Sequence, residues 1–543
     1  MKTKIPPFNF SVVAVIFLIG LFLRLVELQT TPPGFNADEA ALGYNAFSIL
    51  KTGKDEWGIN NPFVLKSFSD YKPALYVYLD IPFIAAFGLT ELAVRLPSIL
   101  LGSFSIILIY FLSKELFKKE IIAVASAFLL AISPWHLQYS RGAWETNIAT
   151  FFILLGIFSL VKGLKNYLWL FIAVLAFIAA MYSYQSPRLI VPLLLIPVVV
   201  LNWHVLFVKK NVIIAILAVI LLLPLLFLVT NNTGLARFQG VSIFSDIGPL
   251  NRVNQERGED SNPNSLMAKF YHNKFLSFGE NFLNNYLEHF TPSFLFLDGD
   301  PLKRNKVPGM GQLYLFEIVT LLIGVYSLIK RKYDNVKIIV FWLITAPIAA
   351  ALTYQTPHAL RAESMVIPLT LISGLGLGII IEKIWKLQII LRYLFMTIFL
   401  LIISFFITDY FHNYYVHLPK EYALEWEYGF SKMAAYVLAN QNKYEKIVIT
   451  DRYDQAYILL LFYSKYDPAK YQQMNKQIGD NKFGFTTISS FDKYEFKNIA
   501  KEEIDVSKKT LFIGTKEEID QDRIPLEVIN FPDGTPVFKI IGT

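Results

Sequence analysis

The sequence predicts a polytopic α-helical membrane protein that carries a small soluble α/β domain at its C-terminal end. Three observations predict it. Hydrophobic residues make up 54% of the 543-residue chain and charged residues only 17%. Mean hydropathy is +0.44. Apolar runs of spanning length recur along the chain, with basic residues concentrated at alternate turns. An ordinary soluble domain carries about 25% charged residues, and a disordered chain carries far less apolar surface. The absence of Cys excludes a disulfide scaffold, thiolate zinc sites and cysteine nucleophiles. The formal net charge of +7 is read first as a topology signal, and no nucleic-acid partner is expected.

The first apolar run, 10–28, is long enough to span and lacks a small-residue cleavage site, so it reads as an anchor. Further spans read as 96–112, 121–137, 148–161, 167–182, 189–208, 212–229, 313–329, 336–353, 365–381 and 389–408, about eleven in all. Segment 74–87 has only 14 residues and contains Asp80, which suits an interfacial helix better than a crossing. The basic residues decide its status. With Lys2 and Lys4 in the cytoplasm and 74–87 left uncounted, the cytoplasmic ends carry fifteen Lys and Arg. The three short outer loops carry only Arg141, Arg188 and Arg361. Counting 74–87 as a crossing would invert this pattern. The expected division is a membrane domain over 1–409, with outer loops 29–95 and 231–312 bearing amphipathic helices, and an extracytoplasmic domain over 410–543. In that tail, 421–440 and 454–466 read as helices, 446–450 and 510–514 as strands, and 526–541 as a hairpin around Pro532-Asp533-Gly534.

Polar residues at membrane depth are costly, so their clusters suggest function. The densest lies in the first outer loop, Pro32-Pro33-Gly34-Phe35-Asn36-Ala37-Asp38-Glu39. Asn36 followed by Glu39 is a capping-box pattern, while Asp38 is free to face a cleft; the two readings are compatible. Tyr71-Lys72-Pro73 places one lysine at the start of the interfacial segment, where it either snorkels or binds an anion. The second outer loop, Ser133-Pro134-Trp135-His136-Leu137-Gln138-Tyr139-Ser140-Arg141-Gly142-Ala143-Trp144-Glu145, holds a base and an acid among aromatic residues. Arg188, after Tyr184-Gln185-Ser186-Pro187, and Arg361, after Pro357-His358-Ala359-Leu360, each lie close to a proline. With Lys72 these arginines form a cationic set suited to phosphate oxygens. His358 reads as a structural or supporting histidine, and Tyr71 as a neighbour of Lys72. There is no Walker A loop, HExxH helix or dinucleotide fingerprint, which argues against an ATP-driven transporter.

The string PPGFNADEAALGYNAFSILKTGKDEWG, followed by KPALYVYL and FGLTELAVRLPSILLG, is similar to the protein O-mannosyltransferase and lipid A aminoarabinose transferase superfamily. These are polytopic GT-C glycosyltransferases resembling glycosyltransferase family 39. The SPWHLQYSRGAWE and YSYQSPRL loops fit its bacterial members. The resemblance covers about residues 20–190. It implies a GT-C fold, a sugar donor carried on a polyprenyl phosphate (undecaprenyl in a bacterium), and inversion at the anomeric carbon. It implies Asp38 as catalytic base, with Glu39 as neighbour or alternate. Glu145 stands where members carry a second functional acid, although many have Asp there. Lys72 matches the lysine-proline motif that binds donor phosphate, with Arg141, Arg361 and Arg188 as helpers. The acceptor would be a protein, lipid or glycan, and membrane lipids would surround the spans. The setting would be the cytoplasmic membrane, with the N-terminus inside and the tail outside. No cofactor is called for and no metal ligands are assigned, while a divalent metal is left open. A lipid-linked sugar flippase, a secondary transporter or an outer-face glycan ligase are the alternatives. Charges gathered at one face, without a repeat, favour the transferase.

Overall fold

The computed structural model describes residues 10–543 apart from 69, 207, 231–239, 334–335, 475, 481–485, 501–508 and 521. Lys2 and Lys4, and the start of the second outer loop, lie outside the described residues. The chain forms two compact units that interleave along the sequence. One comprises Met1–Arg24, Leu100–Ser140 and Glu145–Tyr410; the other comprises Leu25–Ile99, Arg141–Trp144 and Phe411–Thr543.

The first unit is helical, and each expected span begun in it lies on helix. Helices Phe10–Leu25, Glu91–Phe117, Glu145–Gly163, Leu168–Ser183, Pro187–Leu206 and Val212–Thr230 cover the early runs, and Glu317–Lys330, Val366–Trp385 and Ile389–His412 the later ones. Among the described residues, six helices are long and apolar enough to cross a membrane, or seven if one bent pair counts as a single span. The expected straight helix over 121–137 is that pair: Glu120–Ile132 and Pro134–Ser140 meet at 55°. Pro134 cannot continue the hydrogen-bond ladder of the preceding helix. The expected span 336–353 is likewise divided, into Lys337–Thr345 and Ile348–Ala351 around Pro347. Small residues let backbones approach. A Cβ at Gly376 would overlap the Thr320 carbonyl, and beside it Thr320 Oγ1 and Ser373 Oγ lie 2.6 Å apart.

In the second unit, the tail builds a seven-stranded mixed sheet in the order β4-β5-β6-β3-β7-β9-β8. Here β3 is Lys446–Ile449, β4 Gln477–Asp480, β5 Thr486–Phe491, β6 Tyr494–Phe496, β7 Thr510–Gly514, β8 Glu527–Asn530 and β9 Pro536–Gly542. Strand β3 lies parallel to both β6 and β7, and β7 is buried along its whole length, as a central strand covered on both faces should be. The expected helix over 421–440 is broken. It divides into Leu418–Glu421, a 3-10 turn at Leu424–Trp426 and Phe430–Asn440. Glu427 and Gly429 adopt left-handed backbone at φ 52° and 97°, which an α-helix cannot contain. The 14-residue apolar segment forms helix Leu75–Phe87, too short to cross a bilayer unaided.

Helix Ala37–Thr52 carries an internal polar contact with the loop that follows it. Asn45 Oδ1 accepts from the Glu56 amide at 3.0 Å, and Asn45 Nδ2 donates to the Ala41 carbonyl at 2.9 Å. Glu56 is buried, and the cost of desolvating its carboxylate pushes its pKa up to about 7. An acid with a raised folded pKa destabilises the protein as pH rises from the unfolded value toward the folded one. Glu56→Gln is therefore expected to raise the apparent melting midpoint at pH 8. Near pH 5, where the native carboxyl is already protonated, it should leave the midpoint almost unchanged. Melting curves in detergent at the two pH values check this.

Candidate active site

The loop before Ala37 turns into helix Ala37–Thr52 through the capping box that the sequence predicts. The Asn36 side chain accepts from the Glu39 amide at 3.1 Å, and the Glu39 carboxylate accepts from the Asn36 amide at 3.3 Å. Glu39 does more than cap. It is fully buried, and Arg95 donates to it twice, Nε to Oε1 at 2.9 Å and Nη2 to Oε2 at 3.0 Å. The Ala143 amide donates to Oε1 at 2.8 Å and Asn36 Nδ2 to Oε2 at 3.1 Å. Every side of this carboxylate is engaged. Arg95 also donates to the carbonyls of Gly34 at 2.6 Å and Leu28 at 3.3 Å, and its guanidinium covers the Phe35 ring at 5.3 Å. Gly34 must lack a side chain, because a Cβ there would overlap the Trp426 carbonyl.

Asp38 stands beside Glu39 in the first turn, with about a third of its side chain exposed, and forms an ion pair with Lys72. Lys72 comes from β2, Asp70–Pro73, which pairs antiparallel with β1, Val64–Ser67, in the register Lys72 to Leu65. Its ammonium is nearly buried and lies 5.4 Å from the Phe68 ring centre. Strand alternation sends Tyr71 to the opposite face from Lys72. Thus Asp38, Glu39 and Lys72 come together, and the sequence placed all three.

Arg141 belongs to the same unit and is held there by hydrogen bonds. Nη2 donates to the carbonyls of Val26 and Thr31, both at 2.7 Å, and Nε to the Tyr414 hydroxyl at 3.0 Å. The rings of Tyr414 and Tyr415 lie 5.2 and 5.6 Å from the guanidinium carbon. A polar cavity of about 540 Å³ shares walls with this scaffold. It is lined by Thr31, Gly34 and Glu91 from the first part of the unit and by Tyr415, Glu427 and Lys432 from the tail. Asp80, on helix Leu75–Phe87, is fully buried and neither of its oxygens has a hydrogen-bond partner among the described residues. Burial, with the Glu39 charge adding, pushes its carboxyl well above the usual range.

The remaining expected residues lie in the other unit. Glu145 opens helix Glu145–Gly163, where the helix dipole favours an acid. Arg361 Nη1 donates to Thr353 Oγ1 at 2.7 Å, and Arg188 Nε to the Met181 carbonyl at 3.2 Å. The His358 amide donates to His289 Nε2 at 3.1 Å, and its ring nitrogen Nδ1 lies 3.7 Å from Asp300 Oδ2. Burial holds the His289 imidazole down at about 4, so the ring is neutral, accepting at Nε2 and donating from Nδ1 to the Asn285 carbonyl at 2.8 Å. Site reasoning missed Arg95 and Asp80. Arg95 was visible only as part of the RLPS junction, and Asp80 only as a charge in an apolar run. Among the described residues, no group of three or more His, Asp or Glu side chains is arranged to hold a metal ion.

The apolar helices of the first unit and the tail sheet define the class: a multi-pass membrane protein of GT-C fold. Residues 71–228 match the sequence model of the dolichyl-phosphate-mannose-protein mannosyltransferases. ArnT from Cupriavidus metallidurans, solved with bound undecaprenyl phosphate, aligns with a TM-score of 0.52 and 10% identity, over 98% of this chain and 97% of that one. The archaeal oligosaccharyltransferase AglB from Archaeoglobus fulgidus, in complex with an inhibitory peptide and a dolichol-phosphate, aligns with a TM-score of 0.50 and 15% identity over 84% of this chain. The chain spans 63% of the length of AglB. No curated protein sequence matches. The chain has a GT-C fold, and its residues 71–228 are similar to the mannosyltransferase sequence model.

The buried Glu39–Arg95 pair carries the local architecture, and the Asp38–Lys72 pair carries little of it. Arg95→Met is expected to destabilise by about 3–5 kcal/mol, because it strands a buried carboxylate. Asp38→Asn removes a partly exposed charge and should cost less than about 1 kcal/mol. Thermal unfolding of the purified variants checks the contrast.

Proposed function

We propose that the protein is an integral membrane glycosyltransferase that moves a sugar from a polyprenyl phosphate to an acceptor hydroxyl, with inversion. The observation that carries this reading is the Asp38–Lys72 pair, an accessible carboxylate and a nearly buried ammonium fixed on two braced elements. The bound carriers of ArnT and AglB support the donor class. In this reading eleven crossings place the loop at the outer face, where no nucleotide sugar is available and a lipid must carry the donor.

Asp38 takes the proton of the acceptor hydroxyl as its oxygen attacks the anomeric carbon. The bond from that carbon to the phosphate oxygen breaks, and polyprenyl phosphate leaves with the bonding pair. Lys72 has three N–H donors, enough to hold Asp38 and still meet the charge growing on the phosphate. Arg361 and Arg188 are proposed to assist in binding donor phosphate, and Glu145 to act as the second functional acid. Glu39 and Arg141 hold the loop that presents Asp38. The tail is proposed to cover the cleft or to select the acceptor.

A panel of radiolabelled polyprenyl-phosphate sugars, offered to reconstituted protein with membrane extract, tests the reading. Transfer or slow hydrolysis is expected. Asp38→Asn should lower it by about 10²–10⁴-fold, the range for loss of a general base, and Lys72→Ala should abolish saturation by donor. Labelled lipid that only crosses the bilayer would replace the transferase with a transporter, and full activity in Asp38→Asn would overturn the catalytic role of Asp38.

A further inference from the structure

The helices of the second loop have a surface that glycosyl transfer does not explain. Helix Leu266–Tyr271 leaves Leu266 86% exposed and Phe270 67% exposed, while Ala268 is its buried contact. Helix Lys274–Glu288 begins with Phe275 at 79% exposure and continues with exposed Leu276, Leu283 and Leu287. At roughly 100° per residue, Leu276, Leu283 and Leu287 fall within about 40° of one another. Glu280 and Asn284 occupy the next arc, and Asn285 points the opposite way, into the protein. The helix therefore has three faces: apolar and exposed, polar and exposed, and docked.

The docked face fixes the level of this helix against the neighbouring spans. Asn285 Nδ2 donates to the carbonyls of Ala351 at 3.2 Å and Thr353 at 3.1 Å. The Tyr286 hydroxyl donates to the Ile344 carbonyl at 2.9 Å. Ile344 and Val340, one turn apart on helix Lys337–Thr345, are exposed in turn and form a stripe suited to lipid. The apolar face of the loop helix thus continues the apolar face of a membrane segment. Lys269 and Lys274 border it, and an apolar cavity of about 450 Å³ opens beside it among Phe244, Phe275, Phe278, Phe282 and Leu352. An exposed apolar face with lysines near it and an exposed polar arc beside it suits a helix lying in the membrane interface, and tyrosine is favoured at that depth.

We propose that Leu266–Tyr271 and Lys274–Glu288 are seated in the interfacial layer of the bilayer, with Leu266, Phe270, Phe275 and Leu276 among the acyl chains and Lys269 and Lys274 at the lipid phosphates. The partner is the lipid surface itself. The seat also bears on Arg361. Asn285 holds the Thr353 carbonyl, and Thr353 Oγ1 accepts from Arg361, so a lipid-seated helix sets the position of that arginine. The inference stands whether or not the protein transfers sugar.

The chain has no Cys, so single cysteines report cleanly. Phe270→Cys and, on the polar arc, Asn284→Cys are labelled with a nitrobenzoxadiazole dye in vesicles of phosphatidylcholine and phosphatidylglycerol. At 270, blue-shifted emission is expected, quenched several-fold more by doxyl-labelled lipid than by aqueous iodide. At 284 the order should reverse. Emission at 270 that is water-like and quenched by iodide overturns the proposal. So does a 270 label shielded from both quenchers, which would place a protein surface there, such as a second copy of the chain. Both substitutions fall on exposed positions, and a monodisperse elution profile confirms folding.

Discussion

Burying a carboxylate and a guanidinium together is costly unless each is saturated with partners, and the Glu39–Arg95 pair meets that condition. Glu39 takes two donors from Arg95, two from Asn36 and one from the Ala143 amide. Arg95 spends its remaining donors on Leu28 and Gly34. One ion pair thus ties together the end of the first apolar run, the loop, the start of helix Ala37–Thr52 and the residues just after Arg141. The loop segments among these have no regular ladder to hold them. Without the pair, Asp38 would sit on a fraying helix end.

The division of labour between adjacent acids follows. Glu39 is inaccessible and its lone pairs are engaged, so it can hold a geometry but cannot accept a proton from a substrate. Asp38, one residue earlier on the helix, turns toward Lys72 and keeps a third of its side chain exposed. A general base must reach the proton it removes, and a group mounted on a braced helix is better placed for that than one on a free loop. The hairpin β1–β2 supplies Lys72 in the same way, from a strand whose register is set by four paired residues.

The sequence disclosed the parts of this arrangement that are local or strongly periodic. Spacing of three disclosed the Asn36–Glu39 cap, and apolar runs disclosed the helices of the first unit. Two tail strands were visible because KIVIT and TLFIG are nearly all apolar. Strands β4, β5 and β6 were not, because Gln477–Asp480 and Thr486–Phe491 mix polar residues without a strict alternation and Tyr494–Phe496 is only three residues long. Arg141 shows the limit more sharply. On the sequence it is a lone cation in an outer loop, open to phosphate. Its role depends on Tyr414, 273 residues away, and on the carbonyls of Val26 and Thr31. No local pattern discloses such partners. The helix expected over 421–440 failed for the opposite reason: its periodicity is sound, but left-handed backbone at Glu427 and Gly429 interrupts it.

A carboxylate already paired with an ammonium raises a question of order in the reaction. Lys72 holds Asp38 in an ion pair while the two stand alone. A donor phosphate arriving at Lys72 brings competing negative charge to the same ammonium, and the hold on Asp38 weakens. As the bond to the sugar breaks, charge on that phosphate grows, and Lys72 is drawn further toward it. In the proposed reaction Asp38 is therefore released from the ammonium as the leaving group departs. That coupling needs one cation between two anions, on supports rigid enough that the cation moves and the anions do not. An ammonium on a flexible stem suits the shared role better than a guanidinium locked in two-point contact, which is the role Arg95 has beside Glu39.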